Sequence, residues 1–285
     1  MERVVIFGSQ GLLGTALVAQ FKQSFDVVGL DRKEIDILDA KQVTKKLGKL
    51  KPKLVINAVA YNNVDEAEKN DDAFEKAREL NGYAVETLAK ITKKLGIPLV
   101  HFSSEYVFDG ANKKGYAEDS HPRPINRYGE TKLLGERLLT QSTDQYYLVR
   151  LSRLFGTPGL SGLTKKSFID SILEQAQKSG QPDVSVVNEE KSCPTYSVDL
   201  ARLVYEIVVN RQPFGIYHGA NSGACTWFEL AKEAFASKGL AVKVVPIKGN
   251  AYPRPAKRPQ FGELINTKLP PQRSWQDALR DYILH

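Results

Sequence analysis

Short apolar runs alternate with longer amphipathic stretches along the first half of the chain. The runs are rich in Val, Ile and Leu, which is typical of strands buried on both faces of a sheet. They occupy residues 3–7, 26–30, 54–57, 99–102 and 147–151. Between them, apolar residues recur at the three- and four-residue spacing of helices, notably over 40–50, 70–94 and 128–140. The alternation predicts an α/β fold with a doubly wound parallel sheet.

The second half of the chain alternates less regularly. Helical patterns occur at 166–178, 198–209, 226–238 and 274–284. Shorter strand patterns lie between them, at 184–187, 215–218 and 242–247. A basic, proline-rich stretch covers residues 252–259. Because no Gly/Ser-rich linker separates the two halves, we expect them to share an interface and a cleft.

The composition is that of an ordinary globular protein. Of the 285 residues, 42% are hydrophobic and 26% are charged, which suits one large α/β domain or two unequal domains. Cys193 and Cys225 are the only cysteines, so we expect neither a disulfide framework nor a metal site. The N-terminus has no signal-peptide pattern, and no apolar segment approaches about 18 residues. These features predict a cytoplasmic protein without a membrane partner.

The net charge of +7 raises the question of a nucleic-acid partner. The lysines are scattered, and the densest group, between Lys41 and Lys53, lies on a predicted surface helix and the loop after it. A solvated helix face explains this group, and the chain has neither a ribonucleoprotein motif nor a helix-turn-helix signature. We therefore expect no nucleic-acid partner. A basic surface would also suit an anionic nucleotide sugar.

Three glycines follow the first strand at the spacing Gly-x-x-Gly-x-x-Gly, at Gly8, Gly11 and Gly14. Without a Cβ atom, the first can make a tight turn, the second lets backbone approach a pyrophosphate, and the third lets the next helix pack close to the strand. The start of that helix offers unpaired N–H groups to phosphates. Asp31 follows the second strand, where a carboxylate can hold a ribose hydroxyl. This context favours a Rossmann-type dinucleotide-binding turn over a purely structural one.

One tyrosine of twelve has a lysine four residues later, namely Tyr128 with Lys132. On a helix these positions share one face, so we expect the ammonium group near the phenol, where it would lower the phenol's pKa. A tyrosine poised in this way can donate a proton to a carbonyl oxygen. Ser104 lies where the strand at 99–102 runs into a polar loop, at the sheet edge that binds ligands, and can hydrogen-bond a substrate carbonyl. We interpret Ser104, Tyr128 and Lys132 as catalytic residues.

These motifs resemble those of the dTDP-4-dehydrorhamnose reductase family, in the extended branch of the short-chain dehydrogenase/reductase superfamily. The matching segments run nearly from end to end: 8–14, 31, 36–37, 57–61, 64–68, 104–109, 126–133, 194–196, 258–259 and 274–279. The resemblance implies NAD(P)H-dependent reduction of a nucleotide-linked 4-keto sugar in dTDP-rhamnose biosynthesis. It also implies interleaved domains: an NAD(P)-binding Rossmann domain of residues 1–152, with about 196–220 returning to it, and a smaller α/β substrate-binding domain of residues 153–195 and 221–285.

Carried over by position, the resemblance implies a set of cofactor contacts. They comprise Gly8, Gln10, Gly11, Leu12, Gly14, Asp31, Arg32, Asp36, Ile37, Ala58, Ala60, Tyr61, Ser103, Tyr128 and Lys132. Asp31 favours NAD because it can bind the ribose 2′-hydroxyl, whereas the neighbouring Arg32 could accept the 2′-phosphate of NADP. The sequence leaves both cofactors open.

The substrate contacts implied by the resemblance are Glu105, Tyr106, Arg153, Arg254 and Arg258. Related sugar-nucleotide dehydratases carry an Asp-Glu pair after the serine or threonine, whereas this chain has Glu105 followed by Tyr106. The second acid of the pair, the usual base for removing a ring proton, is missing. This difference favours a reductase over a dehydratase.

The chain departs from the family pattern mainly on the substrate side. Arg153 stands where the family has a sugar-packing tryptophan, and Glu105 replaces an aspartate. The family's Asp-Gln-x-Gly-Ser-Pro-Thr reads Glu189-Glu190-Lys191-Ser192-Cys193-Pro194-Thr195. An arginine suits a carboxylate, a phosphate or extra hydroxyl groups. We therefore expect a sugar more polar than 4-keto-rhamnose, unless Arg153 pairs structurally with Glu189 or Glu190.

Two kinds of protein remain compatible with these departures. One is the enzyme described above, which would bind a nucleotide-sugar substrate. The other is a non-catalytic NADP-binding regulatory subunit similar to that of methionine adenosyltransferase, which shares the fold. The retained Ser104, Tyr128 and Lys132 favour the enzyme, whereas the altered substrate loops favour the regulatory subunit. The sequence is compatible with a homodimer in either case.

Overall fold

The structure, a computed structural model, describes residues 1–161, 166–179 and 183–285, with backbone only at 178 and 179. Within these ranges the chain forms twelve strands and ten α-helices. The strands are β1 (Arg3–Phe7), β2 (Asp26–Leu30), β3 (Leu54–Asn57), β4 (Leu99–Ser104), β5 (Tyr146–Leu151), β6 (Leu154–Phe155), β7 (Asp183–Val187), β8 (Lys191–Ser192), β9 (Thr195–Tyr196), β10 (Gly215–His218), β11 (Lys243–Ile247) and β12 (Phe261–Gly262). The helices are α1 (Leu12–Phe21), α2 (Ala40–Leu50), α3 (Val64–Lys69), α4 (Asp71–Arg78), α5 (Ala84–Leu95), α6 (Arg127–Ser142), α7 (Phe168–Ser179), α8 (Ser197–Val209), α9 (Trp227–Ser237) and α10 (Trp275–Leu284).

Six strands form one parallel sheet in the order β2-β1-β3-β4-β5-β10. The central strands β3 and β4 are buried along their whole length. One face of the sheet packs against α1 and α8 through residues such as Leu17 and Leu203. The other face packs against α2 and α5 through residues such as Val43 and Leu88. The predicted α/β fold with a doubly wound parallel sheet is therefore confirmed.

The order in which the chain adds strands to the sheet reverses at β1. This strand pairs with β2 on one side and with β3 on the other, so the chain leaves the centre of the sheet in both directions. In doubly wound sheets, ligands bind in the crevice beside this switch point, at the carboxyl ends of the strands. The glycine turn after β1 and the loops after β3 and β4 therefore meet at one edge of the sheet.

The remaining strands form three two-stranded parallel ladders outside this sheet, β6 with β9, β7 with β11, and β8 with β12. The β7–β11 ladder packs on α7 and α9 around Ile172, Val184 and Phe235. A neighbouring cluster includes Trp275 and Leu279 of α10. Between these elements, β10 returns to the large sheet beside β5. The boundaries of the two expected domains stay a prediction.

The helix predicted over residues 70–94 is divided in the structure. A π-helical turn at Glu79–Tyr83 separates α4 from α5. The turn carries Asn81, whose buried side-chain amide bonds both the backbone N–H and the carbonyl of Tyr61. A Cβ atom on Gly135 of α6 would lie 2.0 Å from the Asn81 carbonyl oxygen. The widened turn thus joins α6 to the loop after β3. Apolar periodicity does not predict this turn, because the turn is determined by contacts with residues distant in the chain.

The sequence pattern does not predict α3, because a six-residue helix with one buried residue, Ala67, has too short an apolar stripe to show a period. The other helices and the longer strands lie within a few residues of their predicted positions.

None of the helices in the described ranges combines the length and the apolar character that crossing a membrane requires.

Two glycine-to-alanine substitutions test the packing of the glycine turn. A Cβ atom on Gly14 would lie 1.9 Å from the Gly8 carbonyl oxygen, so we expect Gly14→Ala to lower the free energy of unfolding by about 1–3 kcal/mol or more. Gly48 is the matched control, because it is an exposed position in α2 with open space around its Cβ site. Gly48→Ala should raise the free energy of unfolding by about 0.5–1 kcal/mol. Urea denaturation measures both, and equal stability of the two variants would contradict the described packing.

Candidate active site

A cavity of about 600 Å³ opens at the carboxyl ends of β1, β3, β4 and β5. Most of the residues singled out from the sequence line it: Gly8, Gly11, Leu12, Asp31, Arg32, Ala58, Ala60, Ser103, Ser104, Glu105, Tyr106, Tyr128, Lys132, Arg153 and Arg258. The others do not line it: Gln10, Gly14, Asp36, Ile37, Tyr61 and Arg254. The cavity therefore joins the glycine turn to the loop after β4 and the start of α6.

The glycine turn leaves β1 with Gly8 in the left-handed region, at φ 75°. A Cβ atom on Gly8 would lie 3.0 Å from the carbonyl carbon of Ala58, so the turn and the loop after β3 are in contact. The helix α1 begins directly after Gly11, and no side chain caps it. Since Gly11 and Leu12 line the cavity, the N–H groups of the first helical turn are available there to an anion.

Asp31 follows β2 and is held by the glycine turn. Its Oδ2 atom accepts hydrogen bonds from Ser9 Oγ at 2.5 Å and from the Gln10 backbone N–H at 2.9 Å. The carboxylate therefore stabilises the turn, and its second oxygen provides further acceptor positions for a ribose hydroxyl. Arg32 lines the cavity beside it. The site therefore offers a carboxylate for the ribose 2′-hydroxyl of NAD and a guanidinium for the 2′-phosphate of NADP.

Ser104 ends β4 and begins a single 3₁₀ turn at Glu105–Val107. Its Oγ donates to Glu105 Oε2 at 2.6 Å and accepts from the Tyr106 backbone N–H at 3.3 Å. These two bonds orient the hydroxyl at the wall of the cavity. The neighbouring Ser103 Oγ is buried without a hydrogen-bond partner among the described residues, and a bound ligand could satisfy it.

The helix α6 begins beside this loop because Asn126 caps it. The Asn126 side chain accepts from the Gly129 N–H and donates to the Lys257 carbonyl, both at 2.7 Å. A Cβ atom on Gly129 would lie 2.2 Å from the Tyr106 carbonyl oxygen, so the helix approaches the loop closely. This approach places the rings of Tyr106 and Tyr128 edge to face, with centroids 5.4 Å apart.

Burial, rather than the neighbouring lysine, dominates the pKa of Tyr128. Burial and the charge of Glu105 raise this pKa, whereas a hydrogen bond with Ser104 acts in the opposite direction. Lys132, one helical turn away, donates from Nζ to the Phe102 carbonyl oxygen at 2.7 Å. The predicted lowering of the phenol's pKa is therefore wrong, because desolvation is the largest effect on it and raises it. Tyr128 is protonated at neutral pH, which is the form that can donate a proton.

Lys132 is itself buried, and burial lowers its pKa to about 8, with Glu136 opposing the shift. His101 lies on β4 with its Nδ1 atom 3.2 Å from the Asn57 side-chain nitrogen. Burial, together with the charge of Lys132, holds the pKa of His101 well below its usual range, so the imidazole is neutral. His101 does not line the cavity, and the sequence did not place it there.

Arg258 and Arg254 are both engaged by carboxylates. Arg258 donates two hydrogen bonds to Asp65, at 2.6 and 2.7 Å, and a third to the Ala256 carbonyl at 2.6 Å. This guanidinium holds the pKa of Asp65 below its usual range. Arg254 pairs with Glu190 and lies outside the cavity lining. The proline-rich stretch is thus tied to α3 by one ion pair, and only Arg258 of the two arginines reaches the cavity.

Arg153 is a non-glycine residue in the left-handed region, at φ 43°. Its Nη1 donates to the Cys225 carbonyl oxygen and its Nη2 to the Glu190 carbonyl oxygen, each at 2.7 Å. The guanidinium carbon lies 3.9 Å from the ring centroid of Trp227. The pairing with Glu190 considered from the sequence therefore runs through the backbone, not the carboxylate. Trp227 also lines the cavity, and its place at the start of a predicted helix was the only sequence signal for it.

Comparison with known proteins assigns the chain to a family. The model of the RmlD substrate binding domain matches residues 1–285. The chain belongs to this family. It is 32% identical to the spore coat polysaccharide biosynthesis protein SpsK of Bacillus subtilis, over 99% of this chain and 97% of that protein. It is 31% identical to the dTDP-4-keto-6-deoxy-D-glucose reductase of Streptomyces niveus, over 98% of this chain and 95% of that protein.

A solved structure of a family relative agrees with this fold throughout. The dTDP-4-dehydrorhamnose reductase of Bacillus anthracis, solved in complex with NADP, matches with a TM-score of 0.92 at 29% identity, and 99% of each chain is covered. The resemblance recognised from the motifs is therefore confirmed, and so is the Rossmann-type fold. The functional roles of individual residues stay predictions that rest on the geometry of the cavity.

Proposed function

We propose that this protein is an NAD(P)H-dependent reductase of a nucleotide-linked 4-keto sugar, acting as dTDP-4-dehydrorhamnose reductases do in dTDP-rhamnose biosynthesis. The observation that carries the proposal is that Ser104, Tyr128 and Lys132 line one cavity together with the glycine turn. The names of two relatives, both reductases of dTDP-linked keto sugars, support the same reaction.

The residues of the cavity fit a nicotinamide dinucleotide. The uncapped start of α1 suits a pyrophosphate, and Asp31 suits the adenosine ribose. Lys132 would hold the nicotinamide ribose through its ammonium group. Bound in this way, the cofactor supplies the hydride. Arg32 suits a 2′-phosphate, and the NADP complex of the Bacillus anthracis relative supports NADP as a cofactor beside NAD.

Tyr128 is the proton donor in this proposal. Its raised pKa keeps the phenol protonated at neutral pH. Ser104 can turn its hydroxyl from Glu105 to the carbonyl oxygen of the substrate, since it lies beside Tyr128 at the end of β4. When the carbonyl is reduced, the phenol gives its proton to that oxygen. Lys132, on the same face of α6, stabilises the phenolate that remains.

Three further features belong to the proposal. The separation of the six-stranded sheet from the three short ladders supports distinct cofactor-binding and substrate-binding domains. A cytoplasmic location is supported by Cys193 and Cys225, which are unpaired and buried, with the pKa of each thiol raised to about 12 by burial. A homodimer stays a prediction from the sequence.

Cofactor binding can be tested at the glycine turn. A Cβ atom on Gly11 would already lie 3.3 Å from the Gly8 carbonyl oxygen, and the branches of a valine would fill the approach to the start of α1. We expect Gly11→Val to remain folded and to bind NADPH and NADH at least about tenfold more weakly, as measured by fluorescence titration. Unchanged affinity in a folded variant would mean that the turn is only structural.

Proton donation can be tested with Tyr128→Phe, which removes the hydroxyl and keeps the ring. We expect cofactor affinity to persist while kcat for keto-sugar reduction falls by about 10²–10⁴-fold, the usual contribution of a general acid. NADPH oxidation in the presence of dTDP-4-keto sugars measures turnover. Tyr146→Phe is a suitable control, because it removes a hydroxyl from a half-buried tyrosine that does not line the cavity. A Tyr128→Phe variant with near wild-type turnover would exclude this role.

The pKa of Lys132 predicts the alkaline limit of activity. Below about pH 8 the side chain is an ammonium ion, and above it the neutral amine predominates and cannot supply the positive charge. Tyr128 stays protonated through this range because its pKa is raised. We therefore expect kcat/KM to fall about tenfold for each pH unit above about 8.

Lys132→Arg provides the matched test of that limit. A guanidinium stays charged at every accessible pH, so the alkaline decline should move to higher pH even if the overall rate is lower. A wild-type profile that is flat up to pH 9.5, or a decline that is the same in both proteins, would assign the limit to another group.

A further inference from the structure

Three buried charged side chains follow one another from the inner face of α6 to β5. They are Lys132, Glu136 and Arg150, with exposed fractions of 2%, 4% and 1%. We call these three residues the charge row. Because helical residues four positions apart share one face, Glu136 follows Lys132 on the side of α6 that also carries Tyr128. Lys132 is the member of the row that lines the cavity, and the other two lie behind the lining.

Arg150 holds the carboxylate of Glu136 in one position. Its Nε donates to Glu136 Oε1 at 2.9 Å and its Nη2 to Oε2 at 2.7 Å. The remaining Nη1 donates to the Glu118 carbonyl at 3.1 Å, and the guanidinium carbon lies 5.1 Å from the ring centroid of Phe108. A buried carboxylate is costly unless it is paired and hydrogen-bonded. The ion pair therefore lets α6 carry a negative charge on its inner face.

Lys132 is held at the other end of the row. Its Nζ donates to the Phe102 carbonyl oxygen at 2.7 Å, which leaves two of its three N–H groups for a ligand. Burial disfavours the ammonium form, and Glu136 is the charged group that opposes this effect. Because Glu136 binds Arg150 through both oxygens, it acts on Lys132 through its charge. The carboxylate is thus fixed one helical turn from the ammonium group.

Other ionisable groups face the charge row from the neighbouring elements. They are Tyr128 of α6, His101 of β4, Tyr146 of β5, His218 of β10 and Glu118 of the segment before α6. Burial holds the pKa of His101 well below its usual range and lowers that of His218 to about 4. It raises the pKa of both tyrosines. These four groups therefore keep their charge in the alkaline range where Lys132 titrates.

Resting on the proposed reductase function, we propose that Glu136 is a positioning residue of the active site. Clamped by Arg150, its carboxylate stabilises the ammonium group of Lys132 that the reaction uses. A purely structural ion pair makes a different prediction. If the pair only held α6 against β5, its loss would loosen the packing and admit water, which also stabilises an ammonium ion. The sign of the change at Lys132 therefore separates the two roles.

Glu136→Gln keeps the size of the side chain and removes its charge. We expect the alkaline limit of kcat/KM to move about one pH unit lower than in wild-type protein, because Lys132 loses the opposite charge that favours its ammonium form. NADPH oxidation with a dTDP-4-keto sugar, followed between about pH 6 and 10, measures this limit. An unchanged limit, or one that moves to higher pH, would overturn the proposal.

Three further variants control for charge and for folding. Glu136→Asp keeps the charge and should keep the limit near its wild-type pH, even if turnover falls. Glu130→Gln makes the same exchange at an exposed position of α6 and should leave the limit unchanged. A limit lowered equally in either of these would contradict the assignment to the Glu136 charge. If Glu136→Gln does not fold, Glu136→Gln combined with Arg150→Gln leaves no buried charge unpaired and should still lower the limit.

Direct titration of Lys132 separates this inference from the proposed function. NMR of protein labelled with ¹³C at lysine Cε follows the titration, and the spectrum of Lys132→Arg identifies the signal. The midpoint should be about one pH unit lower in Glu136→Gln. If the protein reduces no keto sugar nucleotide and the midpoint moves as expected, the proposed function is wrong and the role of Glu136 toward Lys132 stands. If turnover is normal and the midpoint does not move, the inference alone is wrong.

Discussion

The contact between the glycine turn and the elements around it constrains the rest of the site. A Cβ atom added to Gly14 would lie 1.9 Å from the Gly8 carbonyl oxygen, and one added to Gly8 would lie 3.0 Å from the Ala58 carbonyl carbon. The absence of side chains there lets α1 lie against β1 and brings the loop after β3 beside the turn. Because β3, β4 and β5 pair in register within one sheet, the residues that follow β4 are placed relative to this junction.

Exclusion of water governs the ionisable groups in and beside the cavity. Burial raises the pKa of Tyr128 and lowers those of Lys132 and His101, because each group loses the solvent that stabilises its charged form. The cavity therefore holds a protonated phenol, and the imidazole of His101, buried on β4 outside the cavity lining, is neutral. Of these three groups, only Lys132 changes charge near neutral pH. The same desolvation makes each remaining charge act more strongly on a ligand in the cavity.

The substrate side depends on contacts between segments that are distant in the chain. Arg153 hydrogen-bonds to carbonyl groups 37 and 72 positions away and stacks on Trp227 at the start of α9. Glu190 in turn binds Arg254 and the indole nitrogen of Trp227. Arg153, which stands where the family has a tryptophan, is therefore held by two backbone carbonyls and the ring of Trp227. The chemistry of this side can be understood only with all of them in place.

The sequence by itself determined the parallel sheet through β5, the glycine turn and the grouping of Ser104, Tyr128 and Lys132. The sheet, the turn and the Tyr128–Lys132 pair depend on local periodicity and short spacings, whereas Ser104 was assigned from its place at the end of a predicted strand. Tertiary structure alone decided the π-helical turn at Asn81, the pairing of the short ladders and the partners of Arg153, because each depends on residues far apart in the chain. It also decided the pKa of Tyr128, since helical spacing gives the nearness of a lysine but not the amount of water that the folded chain excludes.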